Sequence, residues 1–144
     1  MKIQIINGPN LNLLGKREPE KYGNMSFEDW LTGLRSQYPA ITLDYYQSNV
    51  EGELINKIHE TGFSYDGIIL NPGGYTHTSV SLADAVAAVR APVIEVHITN
   101  ISAREEFRHM SLVGKYCEGS ITGLGLDGYR LAVEAIIGIT KNSK

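Results

Sequence analysis

The chain has 144 residues, of which 42% are hydrophobic and 20% are charged, and its formal net charge is −3. These are ordinary values for one soluble domain. The single cysteine excludes an internal disulfide, no apolar run approaches the roughly 20 residues that cross a bilayer, and the negative charge disfavours nucleic acid as a partner. We therefore expect one cytoplasmic domain over residues 1–144 that binds neither membrane nor nucleic acid.

Short apolar strands and amphipathic helices alternate along the chain. The predicted strands are β-branched or aromatic runs bounded by glycine, proline or polar residues, and they cover residues 2–7, 41–47, 67–70, 92–99 and 120–124. The predicted helices have apolar residues at helical spacing. They cover 26–38 with Ser26 as the N-cap, a segment through 54–58 that ends near Gly62, 79–90, and a last segment through 129–137.

This alternation predicts a parallel sheet of about five strands with helices on both faces. We expect a flavodoxin-like three-layer α/β/α sandwich. Ligands of such folds bind beyond the carboxyl ends of the strands, so the functional residues are expected in the loops that follow the strands.

The loop after the first strand, about 11–25, is long enough to be a lid or a binding loop. Its cations Lys16, Arg17 and Lys21 surround Tyr22. Nearby positive charge favours a phenolate and lowers a tyrosine pKa that starts near ~10, so Tyr22 is a candidate base. The alternative, that Tyr22 packs on the loop below solvated cations, remains open on the loop alone.

The loop after the third strand contains the pair Gly73-Gly74, followed by His77 and by Ser79 at the start of a helix. Paired glycines can point successive N–H groups at one anion near a helix N-terminus, which predicts a carboxylate or phosphate site. An ordinary glycine turn with an N-cap and a hydrogen-bonded His77 is the alternative.

Strand four alternates so that Glu95, His97 and Thr99 share one face. A glutamate two residues from a histidine can accept the ring N–H, fix the tautomer and raise the basicity of the ring, as a general acid or base requires. A buried polar pair without a catalytic role is the alternative.

Ser102 and Glu105 form a capping-box pattern that predicts a short helix after strand four. Arg104 and Arg108 would then lie on one helix face, where guanidinium groups bind carboxylates bidentately. Salt bridges to Glu105 or Glu106 are the alternative.

Two other ligand patterns are rejected. The G-x-G-x-x-G match at 123–128 is followed by too few residues for the second strand and the ribose-binding acid of a dinucleotide site, so we attribute its glycines to tight packing between strand and helix. The histidines show no H-E-x-x-H or similar spacing, and no metal is expected.

Five blocks of the sequence, taken together, resemble type II 3-dehydroquinate dehydratase, a small metal-free enzyme of the shikimate pathway, over nearly the whole chain. The blocks are Ile6–Leu11, Gly15–Pro19 with Tyr22-Gly23, Asn71–Gly74 with Thr76–Ser79, Pro92–Ile98, and Ala103–Arg108. The resemblance implies that 3-dehydroquinate loses water by anti elimination through an enolate, giving 3-dehydroshikimate without a cofactor. It also implies a homododecamer built from four trimers.

The resemblance also implies roles for five catalytic residues. Tyr22 would be the phenolate that takes the proton at C2, and Arg17 would lower its pKa. Asn10 would help to stabilise the enolate through an ordered water. His97 would protonate the departing C1 hydroxyl, and Glu95 would orient His97.

Further positions match those that hold the substrate in the family. Backbone N–H groups of Ile98 and Thr99 would receive the carboxylate, Arg108 would bind the ring hydroxyls, and Asp84 would reach the site of a neighbouring subunit. The remaining substrate-binding positions are Asn71, Gly73 and His77. Arg104 matches a motif arginine with a structural or electrostatic role.

Two other functions fit parts of the sequence. A flavodoxin-like module that binds a nucleotide or phosphate at Gly73-Gly74 without catalysis would share the fold, but it leaves Tyr22, Glu95 and His97 unexplained. A metal-dependent hydrolase fits less well, because the histidine spacing is wrong.

Overall fold

The computed structural model describes residues 1–16, 20 and 24–143. Its centre is a parallel five-stranded sheet of order β2-β1-β3-β4-β5. The strands are Lys2–Asn7 (β1), Thr42–Gln47 (β2), Gly67–Asn71 (β3), Val93–His97 (β4) and Gly119–Thr122 (β5). The helices are Phe27–Gln37 (α1), Glu51–Thr61 (α2), Val80–Ala88 (α3) and Asp127–Asn142 (α4).

Helices cover the sheet on both faces, so the predicted flavodoxin-like sandwich is confirmed. Residues of α1 and α4, such as Phe27 and Val133, pack in one core with Ile5 and Ile94 of the sheet. Residues of α2 and α3 form a second core with Ile68 and Leu70. Successive strand residues point to opposite faces, and for this reason neighbours such as Ile68 and Ile69 belong to different cores.

Two predicted helix starts are confirmed by their hydrogen bonds. The Ser26 hydroxyl accepts the N–H of Asp29 at 3.1 Å, and the Ser79 hydroxyl accepts the N–H of Leu82 at 2.9 Å. Each hydroxyl satisfies one of the donors that the first turn of a helix leaves free.

The predicted helix after β4 is wrong. The chain forms two short 3-10 turns there, Ile101–Ala103 and Glu106–Arg108. The side chain of Asn100, rather than Ser102, caps the first turn by accepting the N–H of Ser102 at 3.1 Å. Arg104 ends the first turn in an extended conformation, so Arg104 and Arg108 do not share a helix face.

Of the glycines in the rejected dinucleotide motif, Gly128 has the expected packing role, whereas Gly123 and Gly125 are required by the backbone conformation. Gly123 and Gly125 have φ values of +86° and +65°, which side chains rarely adopt. A Cβ on Gly128 would lie 3.2 Å from Cγ1 of Val96, so α4 packs closely on β4. Among the described residues, no helix combines the length and apolar character that a membrane crossing needs.

Candidate active site

A pocket of about 180 Å³ lies at the carboxyl ends of β1, β3 and β4. Three loops that follow these strands line it, as expected for this topology. Most of the predicted site residues are brought together there: Asn10, Asn71, Gly73, His77, His97, Ile98, Thr99 and Arg108. Arg104 also lines the pocket, although it is not on the predicted helix.

Glu95 and His97 form a buried hydrogen-bonded pair at the edge of this pocket. Nε2 of His97 lies 2.6 Å from Oε2 of Glu95, and the two residues are 6% and 1% exposed. His97 lines the pocket, whereas Glu95 lies behind it. The alternation of β4 therefore has the predicted result, in which the glutamate supports the histidine from the protein side.

The Glu95 carboxylate is held in its charged form. Burial by itself raises the pKa of Glu95, but hydrogen bonds from His97, Ser111 and Ser120 more than offset it, so the pKa lies below its ordinary value. A carboxylate can only accept hydrogen bonds. The shared proton therefore resides on Nε2 of His97. The other ring nitrogen, Nδ1, remains available to exchange a proton with a ligand in the pocket.

A neutral network orients Asn71 from the opposite face of the sheet. The buried Tyr129 hydroxyl donates to Oδ1 of Asn7 at 2.8 Å and accepts from Nδ2 of Asn71 at 3.0 Å. Oδ1 of Asn71 accepts the N–H of Gly73 at 3.2 Å. The amide of Asn71 is thereby fixed at both ends where it borders the pocket.

The anion-nest hypothesis for Gly73-Gly74 is not supported by this geometry. The N–H of Gly73 is already donated to Asn71, and the glycines open the 3-10 turn Gly73–His77 rather than α3. Gly73 has a φ of +61° and no room for a Cβ, which would lie 3.0 Å from the carbonyl oxygen of Pro9. The glycine serves the close approach of two loops at the pocket wall.

His77 is held by one ring nitrogen. Its Nδ1 lies 2.8 Å from the carbonyl oxygen of Met110, and because a carbonyl only accepts, Nδ1 carries the proton. Its ring centroid is 6.4 Å from that of His97. His77 thus borders the same pocket with its tautomer set by the loop before Ser111.

The end of β4 presents backbone donors to the pocket. Within the described part of the chain, neither the N–H of Ile98 nor that of Thr99 donates a hydrogen bond. Pro72 follows the neighbouring strand β3, and Thr99 is only partly buried. Two adjacent free N–H groups at a strand end suit a carboxylate oxygen.

Asn10 and Arg108 enclose the pocket from two loops. Asn10 has a φ of +72°, a conformation that asparagine tolerates better than most residues, and its N–H donates to Asn49 at 3.0 Å. Nε of Arg108 donates to Glu105 at 2.7 Å. The salt bridge that was the alternative for Arg108 is therefore present, in a side chain that also lines the pocket.

One described residue of the predicted site, Asp84, is not in this assembly. Asp84 is exposed on α3 and does not line the pocket. Arg17 and Tyr22 lie outside the described residues. In the described part of the chain, no three His, Cys, Asp or Glu side chains converge in a way that could hold a metal ion.

Sequence reasoning missed the residues that support the site from behind. Ser111 and Ser120 bind Glu95, and Tyr129 binds Asn71. Ser120 is directly opposite Glu95 in the pairing of β4 with β5, so a known strand register is the signal that could have identified it.

The fold and the site define a small α/β enzyme with a buried carboxylate–imidazole pair at the carboxyl edge of its sheet. The family described as dehydroquinase class II matches residues 1–137. The 3-dehydroquinate dehydratase of Halothermothrix orenii is 52% identical over 142 residues, which cover 97% of this chain and 96% of that protein. The chain belongs to the class II dehydroquinase family.

Solved structures agree with this assignment. The type II dehydroquinase from Butyrivibrio crossotus superposes with a TM-score of 0.88 at 48% identity, covering 94% of this chain and 97% of that one. The type II dehydroquinase from Propionibacterium acnes gives a TM-score of 0.86 at 38% identity, covering 94% of each chain.

Proposed function

We propose that this chain dehydrates 3-dehydroquinate to 3-dehydroshikimate, with His97 as the general acid. As a member of its family the chain is a hydro-lyase of the shikimate pathway. The observation that carries the assignment of His97 is the buried pair of Glu95 and His97 at the edge of the pocket. We also place the enzyme in the cytoplasm.

The reaction needs one base and one acid. The base removes the proton at C2, and the electron pair forms an enolate with the C3 ketone. The enolate then expels the C1 hydroxyl, which takes a proton from the acid and leaves as water. Imidazolium at His97 would donate that proton from Nδ1, while the negative charge of Glu95 stabilises the charged ring.

The substrate is proposed to bind with its carboxylate on the N–H groups of Ile98 and Thr99. Arg108 would contact the ring hydroxyls, with Asn71, Gly73 and His77 completing the wall. Asn10 would stabilise the enolate through an ordered water. A carboxylate anchored at the end of β4 places C1, to which it is bonded, near His97, which immediately precedes Ile98.

The base is proposed to be the phenolate of Tyr22, with Arg17 lowering its pKa. Tyr22→Phe removes the acidic hydroxyl and little volume, so it should abolish turnover while substrate still binds. Turnover assays measure the loss of catalysis, and calorimetric titration measures substrate binding. Turnover near that of the unmodified enzyme would exclude Tyr22 as the base.

The activity is tested with purified, chelator-treated protein and 3-dehydroquinate, by following the ultraviolet absorbance of the conjugated enone. A parallel sample is pretreated with borohydride in the presence of substrate, which would trap an imine. Turnover that survives both treatments supports metal-free elimination without a Schiff base. A folded protein without turnover would contradict the proposal and favour a module that only binds ligand.

We propose further that twelve copies assemble as four trimers and that Asp84 reaches the site of a neighbouring subunit. Asp84 is exposed on α3 and lies outside the pocket of its own chain, as such a role requires. Light scattering should give a mass about twelve times the 15.9 kDa of one chain. Asp84→Ala should then weaken substrate binding; a monomer with full activity would contradict both statements.

A further inference from the structure

We propose that Ser111 and Ser120 are positioning residues that lock the Glu95 carboxylate and, through it, the ring of His97. The Ser111 hydroxyl donates to Oε2 of Glu95 at 2.7 Å, and the Ser120 hydroxyl donates to Oε1 at 2.7 Å. This inference rests on the proposed role of His97 as the acid. Neither serine lines the pocket, so neither is a catalytic residue.

The two serines reach Glu95 from different parts of the fold. Ser120 is on the edge strand β5, directly opposite Glu95 in the parallel register, so the two side chains leave the sheet on the same face. Ser111 lies in the loop that follows the turn Glu106–Arg108. Its hydroxyl also accepts the N–H of Gly114 at 3.0 Å, which fixes the hydroxyl in place.

Together the donors leave the carboxylate no freedom to rotate. Oε2 is shared between His97 and Ser111, and Oε1 is bound by Ser120, so turning the carboxylate breaks a charge-assisted bond. Gly114 closes the remaining side, because a Cβ there would lie 2.9 Å from Oε1. The chain has a glycine where a larger residue would displace the carboxylate.

The locked carboxylate determines which ring nitrogen of His97 carries a proton. A charged, immobile carboxylate keeps the proton of the neutral ring on Nε2, so that a second proton must enter and leave at Nδ1. Without the serines, the burial of Glu95 is less compensated and its charge is less stable. The ring of His97 would then populate both tautomers and more than one orientation.

Two substitutions of Ser120 introduce side chains of equal shape that differ only in the hydroxyl. Ser120→Thr keeps the hydroxyl, whereas Ser120→Val has the size of threonine without it, and both suit an edge strand. We expect Ser120→Val to lower kcat about five- to tenfold with KM unchanged, and Ser120→Thr to retain most of kcat. Ser111→Ala should resemble Ser120→Val.

Ser48 provides a matched control. Its hydroxyl donates to Glu53 at 2.6 Å and accepts the N–H of Val50 at 2.9 Å, the same two kinds of bond that Ser111 makes. Ser48 contacts neither Glu95 nor the pocket. Ser48→Ala should therefore leave kcat unchanged, although it removes two hydrogen bonds equivalent to those of Ser111.

The readout that separates positioning from stability is the ¹⁵N spectrum of the histidine rings. In histidine-labelled enzyme, the signals of His97 are assigned by their loss in His97→Ala. We expect the unmodified protein and Ser120→Thr to show Nε2 protonated and Nδ1 unprotonated in the neutral ring. Ser120→Val and Ser111→Ala should show averaged signals from both tautomers.

The outcomes are distinct. Unchanged ring signals in Ser120→Val and Ser111→Ala overturn the proposal, whether or not kcat falls, and so does an equal fall of kcat in Ser48→Ala. If the unmodified enzyme does not turn over 3-dehydroquinate, the proposed function fails, but the ring spectra still decide whether the serines fix His97. If Ser111→Ala does not fold, Ser120→Val decides alone.

Discussion

The two faces of the sheet each contain a buried polar cluster, and the clusters differ in charge. On the face covered by α1 and α4, the Tyr129 hydroxyl joins the amides of Asn7 and Asn71, and every member is neutral. On the face covered by α2 and α3, the cluster is built on the charged carboxylate of Glu95. Both clusters end at the same pocket.

The difference in charge indicates that the two clusters have different functions. A neutral amide network has no proton to lose near neutral pH, so it can orient Asn71, a proposed binding group, without changing with pH. A carboxylate with a histidine can hold or release a proton, which is what an elimination requires. We expect substitutions in the charged cluster to change chiefly kcat, and those in the neutral cluster to change chiefly stability and KM.

Within the two clusters, the largest effect should come from removing the proposed acid. His97→Ala should lower kcat by about 10²–10⁴, because the leaving hydroxyl then lacks a proton donor. Glu95→Gln should be no more severe, since the acid is misoriented rather than lost. Steady-state rates from the enone absorbance measure both.

The control for this comparison is His59→Ala on the exposed end of α2. It removes a histidine of the same size from outside the pocket, so kcat should not change. A greater loss in Glu95→Gln than in His97→Ala would reverse the assignment and make the carboxylate the acid.

The next effect should fall on the neutral cluster. Tyr129→Phe leaves the amides of Asn7 and Asn71 buried without their shared partner, which should reduce the free energy of unfolding by about 1–3 kcal/mol. Because Asn71 loses its orienting bond, KM should rise more than kcat falls. Urea denaturation and steady-state kinetics check the two parts, with Tyr116→Phe on the surface as the control.

Equal losses of kcat from Tyr129→Phe and Glu95→Gln, with KM unchanged in both, would remove the distinction between the clusters. Such a result would mean that Asn71 acts in the chemical step as directly as Glu95 does. The contrast therefore depends on measuring kcat and KM separately in the same preparations.

The features of the two clusters that the sequence predicted are those encoded within short stretches of the chain. The alternation of β4 placed Glu95 and His97 on one face, and Ser26 and Ser79 identified two helix starts, because each signal lies within a few residues. The capping box at Ser102 failed because Asn100, two residues earlier, caps a turn that begins before it by accepting the N–H of Ser102.

The supporting residues were not predictable in the same way. Ser111 and Ser120 are 16 and 25 residues from Glu95 along the chain, and Tyr129 is 58 residues from Asn71. Contacts at such separations depend on strand register and helix packing rather than on local spacing. Tyr129 lies in the predicted last helix, but the partners of its hydroxyl depend on the order of the strands in the sheet.

A smaller effect distinguishes the clusters at acid pH. The pKa of Glu95 is depressed in the folded protein, so its contribution to stability is complete above the unfolded pKa of about 4.3 and is lost as pH falls through the folded pKa. The difference in unfolding free energy between the unmodified protein and Glu95→Gln should therefore shrink on acidification. Denaturation at a series of pH values measures it.

Tyr129→Phe is the comparison for that titration. Its stability difference from the unmodified protein should stay constant over the same acid range, since no member of the neutral cluster titrates there. A difference that shrinks equally for both variants would show that general acid expansion, rather than the Glu95 carboxylate, produces the trend.

The smallest effect should come from Tyr45, where the neutral cluster reaches its edge. Its hydroxyl accepts from Nδ2 of Asn7 at 3.4 Å, a long bond, and its ring stacks on Phe27 with centroids 4.7 Å apart. Tyr45→Phe keeps the stacking and removes only the long bond, so the loss of stability should be under about 1 kcal/mol.

That small loss should also change with pH, in the opposite direction to Glu95. Burial raises the pKa of Tyr45 to about 12, so the stability that the neutral hydroxyl contributes is complete below about pH 10 and is lost as pH rises toward the folded value. Tyr45→Phe lacks this alkaline loss, and its deficit should narrow above about pH 10. A deficit that stays constant there would mean that the hydroxyl is solvated in the folded protein, and the neutral cluster would then end at Asn7.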